Sequence, residues 1–484
     1  MPAASADPRA ARRAAADAAL SAAYSAVRAA PKDAEARLRL AASLLPRRRP
    51  DLVQRHAERA AALAPEDWAE APRLGDILFK SGGFETAARV LSGVLQRDPN
   101  EVGALRTLSA FLSAQDEPER ARAFLIRAAR RDPYQAAGRI ERAKPTILRV
   151  RAVENSWYGI LRDKGTGLYK RRMKGGHLSV KALIEKPEFN LIVANLAGDV
   201  LPPVEGLPPV DVIVNTVACP DLAGASLVNV GRYIERFPGV PVINRPETVL
   251  ETTRAKNAER LGALEGVRFP RTEALTNDAP PKEMLPRVEA LGLGYPLILR
   301  VAGTQTGETL ALLPDRDEVR DYIEEAEPGA KLYAIEYIDC RGRTGFFHKT
   351  RAFFIDGTFH AVANLTSDDW QIHSGDRYRV MSTNAATRRE EKRYLANPER
   401  YLGQDAYAAL HRVRDAIGLD FFGIDFTVTP AGELVIFEAN AAMRHNYDHA
   451  GAFPYTRPHL DRISAAFNRM VHARAKARHL ARAG

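Results

Sequence analysis

Four prolines, Pro31, Pro65, Pro99 and Pro133, stand 34 residues apart. Each sits in a similar polar phrase: Ala30-Pro31-Lys32-Asp33, Ala64-Pro65-Glu66-Asp67, Asp98-Pro99-Asn100 and Asp132-Pro133-Tyr134. A fixed period of this size marks one supersecondary unit stacked on copies of itself, because a single unit cannot bury its apolar face alone. The apolar positions keep phase. Leu40, Leu74 and Leu108 share one register, Leu44, Leu78 and Leu112 another, and Ala60, Val94 and Ala128 each precede a proline by five residues. Small residues recur where two helices must approach closely: Ala87, Ala121, and Gly75 after Leu74. The period predicts an N-terminal α-helical solenoid over residues 1–135. Residues 1–33 would supply only the second helix of a first repeat. Such a stack offers either a concave peptide-binding surface or a packing module that caps or dimerises the rest.

After Pro133 the pattern changes to short apolar runs bounded by Gly, Pro or Asn: Thr146–Val150, Asn190–Ala194, Val210–Asn215 and Val240–Asn244. These suit buried parallel strands, with Gly224–Phe237 and Pro246–Leu264 as helices between them. The stretch Tyr169–His177 is basic with paired glycines, and reads as a solvated hairpin or an anion-holding segment. From Arg287 the strands lengthen: Tyr295–Val301, Lys331–Ile338, His348–Ile355 and Thr358–Leu365, the last two joined through Asp356-Gly357. Asp-Gly between apolar runs signals a hairpin. A helix over Gln404–Ile417 and a second hairpin, Phe422–Thr429 with Glu433–Asn440, follow. The boundaries expected are an α/β domain at 136–248, an α+β domain at 249–471 and a basic helical tail at 472–484.

Two cysteines, Cys219 and Cys340, are too few for a disulfide scaffold or a Cys-based zinc site. No apolar run is long enough to span a bilayer. Asp17 interrupts the Ala-rich stretch after Arg9, Arg12 and Arg13, so this segment reads as a helix rather than a signal peptide. The expected location is cytoplasmic. The net charge of +10 permits an acidic partner, but it is spread over clusters such as Arg47-Arg48-Arg49 and the tail from Arg469. No zinc finger or aromatic RNA-binding motif accompanies them, which argues against nucleic acid.

The last hairpin carries the strongest chemical signal. With a two-residue loop at Ala431-Gly432, paired residue numbers would sum to 863 and Asp425 would lie opposite Glu438. Asn440 shares that face, being two residues further on. Two adjacent carboxylates repel, so one takes a proton unless a cation sits between them. Two carboxylates and an amide oxygen form a hard-oxygen site suited to Mg²⁺, with Mn²⁺ as a substitute. A different loop length would move Asp425 to the other face.

Two resemblances follow from these residues. The repeat, with its Leu-Gly, Ala and Pro positions, resembles the tetratricopeptide repeat. Asp425 followed by Glu438-Ala439-Asn440 resembles the metal site of the ATP-grasp superfamily, which includes carboxylate–amine ligases of the glutathione synthetase, D-alanine–D-alanine ligase and RimK-type kinds. That likeness covers Val240 to Val471, with residues 136–248 as the pre-ATP-grasp domain. It implies ATP and Mg²⁺ as cofactors, and these site residues: Lys256 for nucleotide phosphate; Arg300, in place of the usual lysine, for phosphate; Thr304 and Gly307 in a phosphate loop Gly303-Thr304-Gln305-Thr306-Gly307; Glu336, Tyr337 and Ile338 at adenine; Arg351 for phosphate; and Asp425, Glu438 and Asn440 for metal. Gly266–Thr272 resembles the family's Gly-x-x-x-Pro-x-Thr continuation, and Asp339 is the nearest acid for the ribose. Arg300, Arg351 and Arg444 would be catalytic. The loop Asp368–Arg377 stands where the family places a substrate loop, with His373 and Arg377 as its candidates.

The chemistry so implied is ATP-driven joining of a carboxylate to an amine through an acyl phosphate, on a small molecule or on a peptide or protein brought by the repeats. Two alternatives stay open on sequence: a non-catalytic adaptor carrying a nucleotide-binding pseudo-ligase, and a phosphotransferase acting on a hydroxyl.

Overall fold

The computed structural model describes residues 8–136, 138–175, 178–304, 307 and 309–483, with side chains from 13 to 480. Among the described residues the repeat region folds into seven α-helices: α1 (Pro8–Ala29), α2 (Ala34–Leu44), α3 (Pro50–Leu63), α4 (Ala71–Ser81), α5 (Phe84–Arg97), α6 (Val102–Ala114) and α7 (Pro118–Arg131). The phased prolines fall just after α1, α3, α5 and α7, so Pro65, Pro99 and Pro133 each close a helical pair and Pro31 follows α1, which precedes the first pair. Prolines also start α3 and α7, where the missing N–H costs nothing. Leu40, Leu44, Leu74, Leu78 and Leu108 are buried together in one core. A Cβ on Gly75 would lie 2.3 Å from Leu91 Cδ2, so glycine lets α4 and α5 close on each other.

The chain continues through β1 (Tyr134–Ala136), β2 (Thr146–Ala152), β3 (Ser156–Arg162), β4 (Tyr169–Gly175), β5 (Asn190–Leu196), β6 (Val212–Asn215), α8 (Pro220–Ile234) and β7 (Val242–Ile243). The sheet order is β1-β5-β2-β6-β7, with β2, β6 and β7 parallel. β3 and β4 form a separate two-stranded ribbon whose buried residues pack with α6 and α7, around Ala110, Leu125, Ala129 and Tyr158. The Tyr169–His177 stretch is thus a hairpin strand with alternating exposure as far as Gly175; Gly176 and His177 lie outside the described residues.

Two compact units result. One comprises residues up to 134 with 152–175 and 195–202, and the other comprises 135–151, 176–194 and 203 onward.

The second unit continues with α9 (Pro246–Leu250), α10 (Arg254–Gly262), β8 (Val267–Arg268), β9 (Thr272–Thr276), α11 (Pro281–Ala290), β10 (Leu297–Val301), β11 (Ala311–Leu313), α12 (Arg316–Glu325) and β12 (Lys331–Glu336). The single helix expected over Pro246–Leu264 is two helices, because Thr253 adopts extended geometry and caps α10 by accepting from Lys256 N–H. Strands β11-β10-β12-β9 form a sheet covered by α11 and α12, around Met284, Leu299, Val319 and Ile323.

Then come β13 (Phe347–Ile355), β14 (Thr358–Ser367), α13 (Ala385–Ala396), α14 (Pro398–Leu402), α15 (Gln404–Ile417), β15 (Phe421–Val428), β16 (Leu434–Asn440) and α16 (Arg457–Ala483). Their sheet runs β14-β13-β15-β16-β8. β15 and the first half of β16 are almost wholly buried, which suits their unbroken apolar runs. No described helix is long and apolar enough to cross a membrane.

Candidate active site

The β15–β16 turn is not the two-residue loop expected. Thr429 N–H donates to Glu433 O at 2.9 Å and Val428 pairs with Leu434, which leaves Pro430, Ala431 and Gly432 as a three-residue loop. Gly432 takes φ +87°, the left-handed residue such a loop needs. Beside the turn, paired numbers therefore sum to 862 (428 + 434). A β-bulge between Asp425 and Phe426 then inserts one residue, Phe437, and Asp425 comes to face Glu438 after all. The bulge, not the turn, puts the two carboxylates side by side.

A cation does sit against them. Arg351 on β13 pairs in register with Asp425, and its Nε and Nη2 reach Asp425 Oδ1 and Oδ2, each at 2.6 Å. Arg351, Asp425 and Glu438 thus form a row across three neighbouring strands. Burial pushes the Asp425 carboxyl up, but Arg351, with smaller help from Lys349 and Arg254, holds it below the usual carboxylate range. Asn440 donates from Nδ2 to Glu438 Oε1 at 2.5 Å and accepts Ala442 N–H at 2.9 Å, so it orients Glu438.

Further cations converge on this row. Lys349, two residues before Arg351 and on the same face, donates to the Ile372 carbonyl; burial lowers its pKa, while Asp425 and Glu438 oppose that. Arg300 on β10 donates to the Thr304 carbonyl, and its pKa is lowered by burial and then by Arg254, with Glu438 pulling the other way. Arg254, the first residue of α10, donates to the Phe437 carbonyl at 2.8 Å, on the bulge itself. Four cations surround the row's two carboxylates, while Asp221 acts on Arg300 and Asp376 on Lys349 from outside it. The cations and the positive start of α10's helix dipole together favour an anion at the row.

The other expected residues lie as follows. Lys256 pairs with Glu251 at 2.9 Å and is half-exposed. Arg444 is exposed and pairs with Asp448 at 3.1 Å. Glu336 is taken by Arg268 at 3.0 Å and by Arg271 N–H at 3.1 Å. Tyr337 meets Trp370 edge to face, Ile338 is half-buried, and Asp339 is exposed. Thr304 hydrogen-bonds Val301 O at 2.7 Å and Thr309 Oγ1 at 2.8 Å. Gly307, at φ +74°, accepts from Gln371 Nε2 at 3.1 Å, which ties the two loops together. Gln305 and Thr306 lie outside the described residues. His373 is exposed, and its backbone N–H donates to Asp376 at 2.7 Å. Arg377 is buried against fully buried Glu391 at 2.5 and 2.7 Å, which makes it a packing residue of its loop.

Arg254 and Lys349 escaped the sequence reading. Thr253 was the available signal for the first: a threonine just before a helical run is an N-cap, and it places Arg254, not Lys256, at the open helix end. Lys349 shares a strand face with Arg351, which alternation alone predicts.

The donor set fits Mg²⁺. Asp425 and Glu438 are hard-oxygen donors, and each Asp425 oxygen keeps a lone pair beyond its bond to Arg351. Among the described residues no group of three or more His, Cys, Asp or Glu side chains is placed for a metal, so waters or ligand oxygens would complete the sphere.

Residues 78–144 match the tetratricopeptide repeat family. Among solved structures, the chain is similar to D-alanyl-alanine synthetase A from Vibrio cholerae O1 biovar eltor str. N16961, at 14% identity over 69% of this chain and 99% of that one, with a TM-score of 0.44. It is similar to D-alanine–D-alanine ligase from Bacillus anthracis at 13% identity, over 69% and 99%, with a TM-score of 0.40. It is similar also to a RimK domain protein from Sphaerobacter thermophilus DSM 20745 at 11% identity, over 67% and 99%, with a TM-score of 0.38. Comparison with curated proteins gives no match.

Proposed function

We propose that the second unit is an ATP- and Mg²⁺-dependent ligase joining a carboxylate to an amine, and that the helical repeats form a solenoid recruiting a peptide or protein substrate. The observation that carries the catalytic part is the cluster of Arg254, Arg300, Lys349 and Arg351 around Asp425 and Glu438. A small anion would neutralise one or two of these cations; a triphosphate with a divalent metal matches both the cations and the oxygen donors.

In this reading Asp425 and Glu438 hold the metal, with Asn440 fixing the Glu438 rotamer. Bound Mg²⁺ supplies charge neutralisation between phosphate oxygens. Arg254, Arg300 and Lys349 bind phosphate oxygens, and Arg351 shares its fork between Asp425 and the transferring group. A substrate carboxylate oxygen bonds to the γ-phosphorus as the bond to ADP breaks. The amine then attacks the acyl carbon, phosphate leaves, and the amine gives up a proton. Gly307, held by Gln371, would help exclude water from the acyl phosphate.

The test is calorimetry of ATP binding with and without Mg²⁺, on the wild type and on Glu438→Ala. Micromolar-range binding that needs Mg²⁺ and is lost in the variant is expected. A folded wild type that binds no nucleotide would sink the ligase reading and leave the repeats as the seat of function.

A further inference from the structure

Arg149 is the middle residue of β2, level with Val214, one residue short of the end of the parallel strand β6. Its Nε donates to Thr216 Oγ1 at 3.2 Å and its Nη2 to the Leu178 carbonyl at 3.0 Å. Thr216 sends its own proton to the Val150 carbonyl at 2.8 Å, so its oxygen is free to accept. Both partners of Arg149 are neutral, and they use two of its five donors. Among the described residues no carboxylate pairs with it, and the charge pressing on it most is Arg151, another cation on the same strand face. Burial first, and Arg151 second, pull its pKa down to about 9.

A desolvated guanidinium beside a like charge is costly to hold unless an anion completes it. The position is suited to one. β2, β6 and β7 run parallel, and ligands of such sheets bind beyond the carboxyl ends of the strands. Helix α8 opens at Pro220, five residues after β6 ends, and is interrupted at non-helical Ala223, so its regular part begins at Gly224 with its positive end toward the same edge.

We infer that Arg149 and Thr216 form an anion subsite that holds a carboxylate of a small substrate at the carboxyl edge of this sheet. A carboxylate held in this fork is a poor nucleophile, so it is not the group that reacts. The ligand class is therefore a dicarboxylate or an amino acid whose amine or second carboxylate reacts. Its role as a substrate subsite rests on the ligase reading; anion binding itself does not.

The experiment is thermal denaturation of the full chain with increasing succinate against chloride at matched ionic strength, on the wild type, Arg149→Met and Arg149→Lys. The wild-type midpoint is expected to rise saturably by a few degrees. Arg149→Met should lose that rise while being at least as stable as the wild type in chloride, and Arg149→Lys should keep only part of it. No saturable rise in the wild type overturns the inference, as does an equal rise in all three proteins. If Arg149→Met does not fold, Arg149→Lys decides: an undiminished rise overturns the subsite. Mg²⁺–ATP calorimetry on Arg149→Met separates the two readings. Intact nucleotide binding with the succinate response lost supports the subsite, whereas intact nucleotide binding with no wild-type succinate response removes the subsite alone.

Discussion

Arg351 aims both forked donors at one carboxylate, and the consequences can be measured one residue at a time. Arg351→Ala leaves Asp425 buried without its counter-ion. Removing one partner of a buried pair costs roughly 3–5 kcal/mol, and because Arg351 is about a third exposed the lower end, about 3 kcal/mol, is expected from denaturant unfolding. The pH sign follows from Asp425 being held below its ordinary value. Its contribution is present above about pH 4, the unfolded carboxyl value, and is lost as pH falls through the lower folded value. Arg351→Ala should therefore flatten the acid limb below pH 4; an unchanged limb would show that the pair adds nothing in solution. The row of acids was legible in sequence because Asp425 and Glu438 sit in apolar strands that alternate. Its cations were less so. Lys256 and Arg254 are two residues apart on a helix, about 200° around its axis, and only the cap at Thr253 decides which one faces the row.

At the scale of elements, the β15–β16 hairpin shows how a correct pairing can follow from a wrong turn. Alternation and burial specify which residues share a face, but a bulge inside an apolar run such as Val435–Phe437 has no local signal, since all its residues are equally apolar. Two displacements of one residue, in the turn and at Phe437, cancel at Asp425. Gly432→Ala strains the turn by about 1 kcal/mol, while the bulge keeps the register upstream. Its urea midpoint should fall with Mg²⁺–ATP affinity unchanged; a parallel loss of affinity would mean that the turn sets the register. The helical repeats were the most legible elements, because a period is read from position alone. Gly75→Ala tests their packing: helix propensity favours alanine by about 1 kcal/mol, but a methyl group 2.3 Å from Leu91 overpacks the α4–α5 contact by roughly 1–3 kcal/mol. Net destabilisation is expected, and a gain in thermal midpoint would show that α5 gives way.

For the whole molecule, the histidines set the acid behaviour. His56, His348, His360, His411, His445, His449 and His459 are all shifted below the ordinary imidazole value, chiefly by burial, and His445 reaches about 4. As pH falls below about 6.5 the unfolded chain takes up protons on them before the native chain does. Stability is thus full above pH 6.5 and falls as pH drops toward 4. Six of the seven lie in the second unit, so that unit should unfold first in acid. His445→Gln should remove up to about 3 kcal/mol of the fall between pH 6.5 and 4, read from urea titrations at both pH values. None of this was visible in sequence, because burial of a histidine depends on the fold around it. The row Arg351–Asp425–Glu438 has a consequence of another kind. Arg351 lies 74 residues before Asp425 along the chain and beside it only across strands, so mutation cannot exchange either one alone without stranding a charge inside the sheet. Across descendants of this chain, positions 351 and 425 should change together or not at all, and a lineage that has lost one and kept the other should have abandoned the chemistry as well.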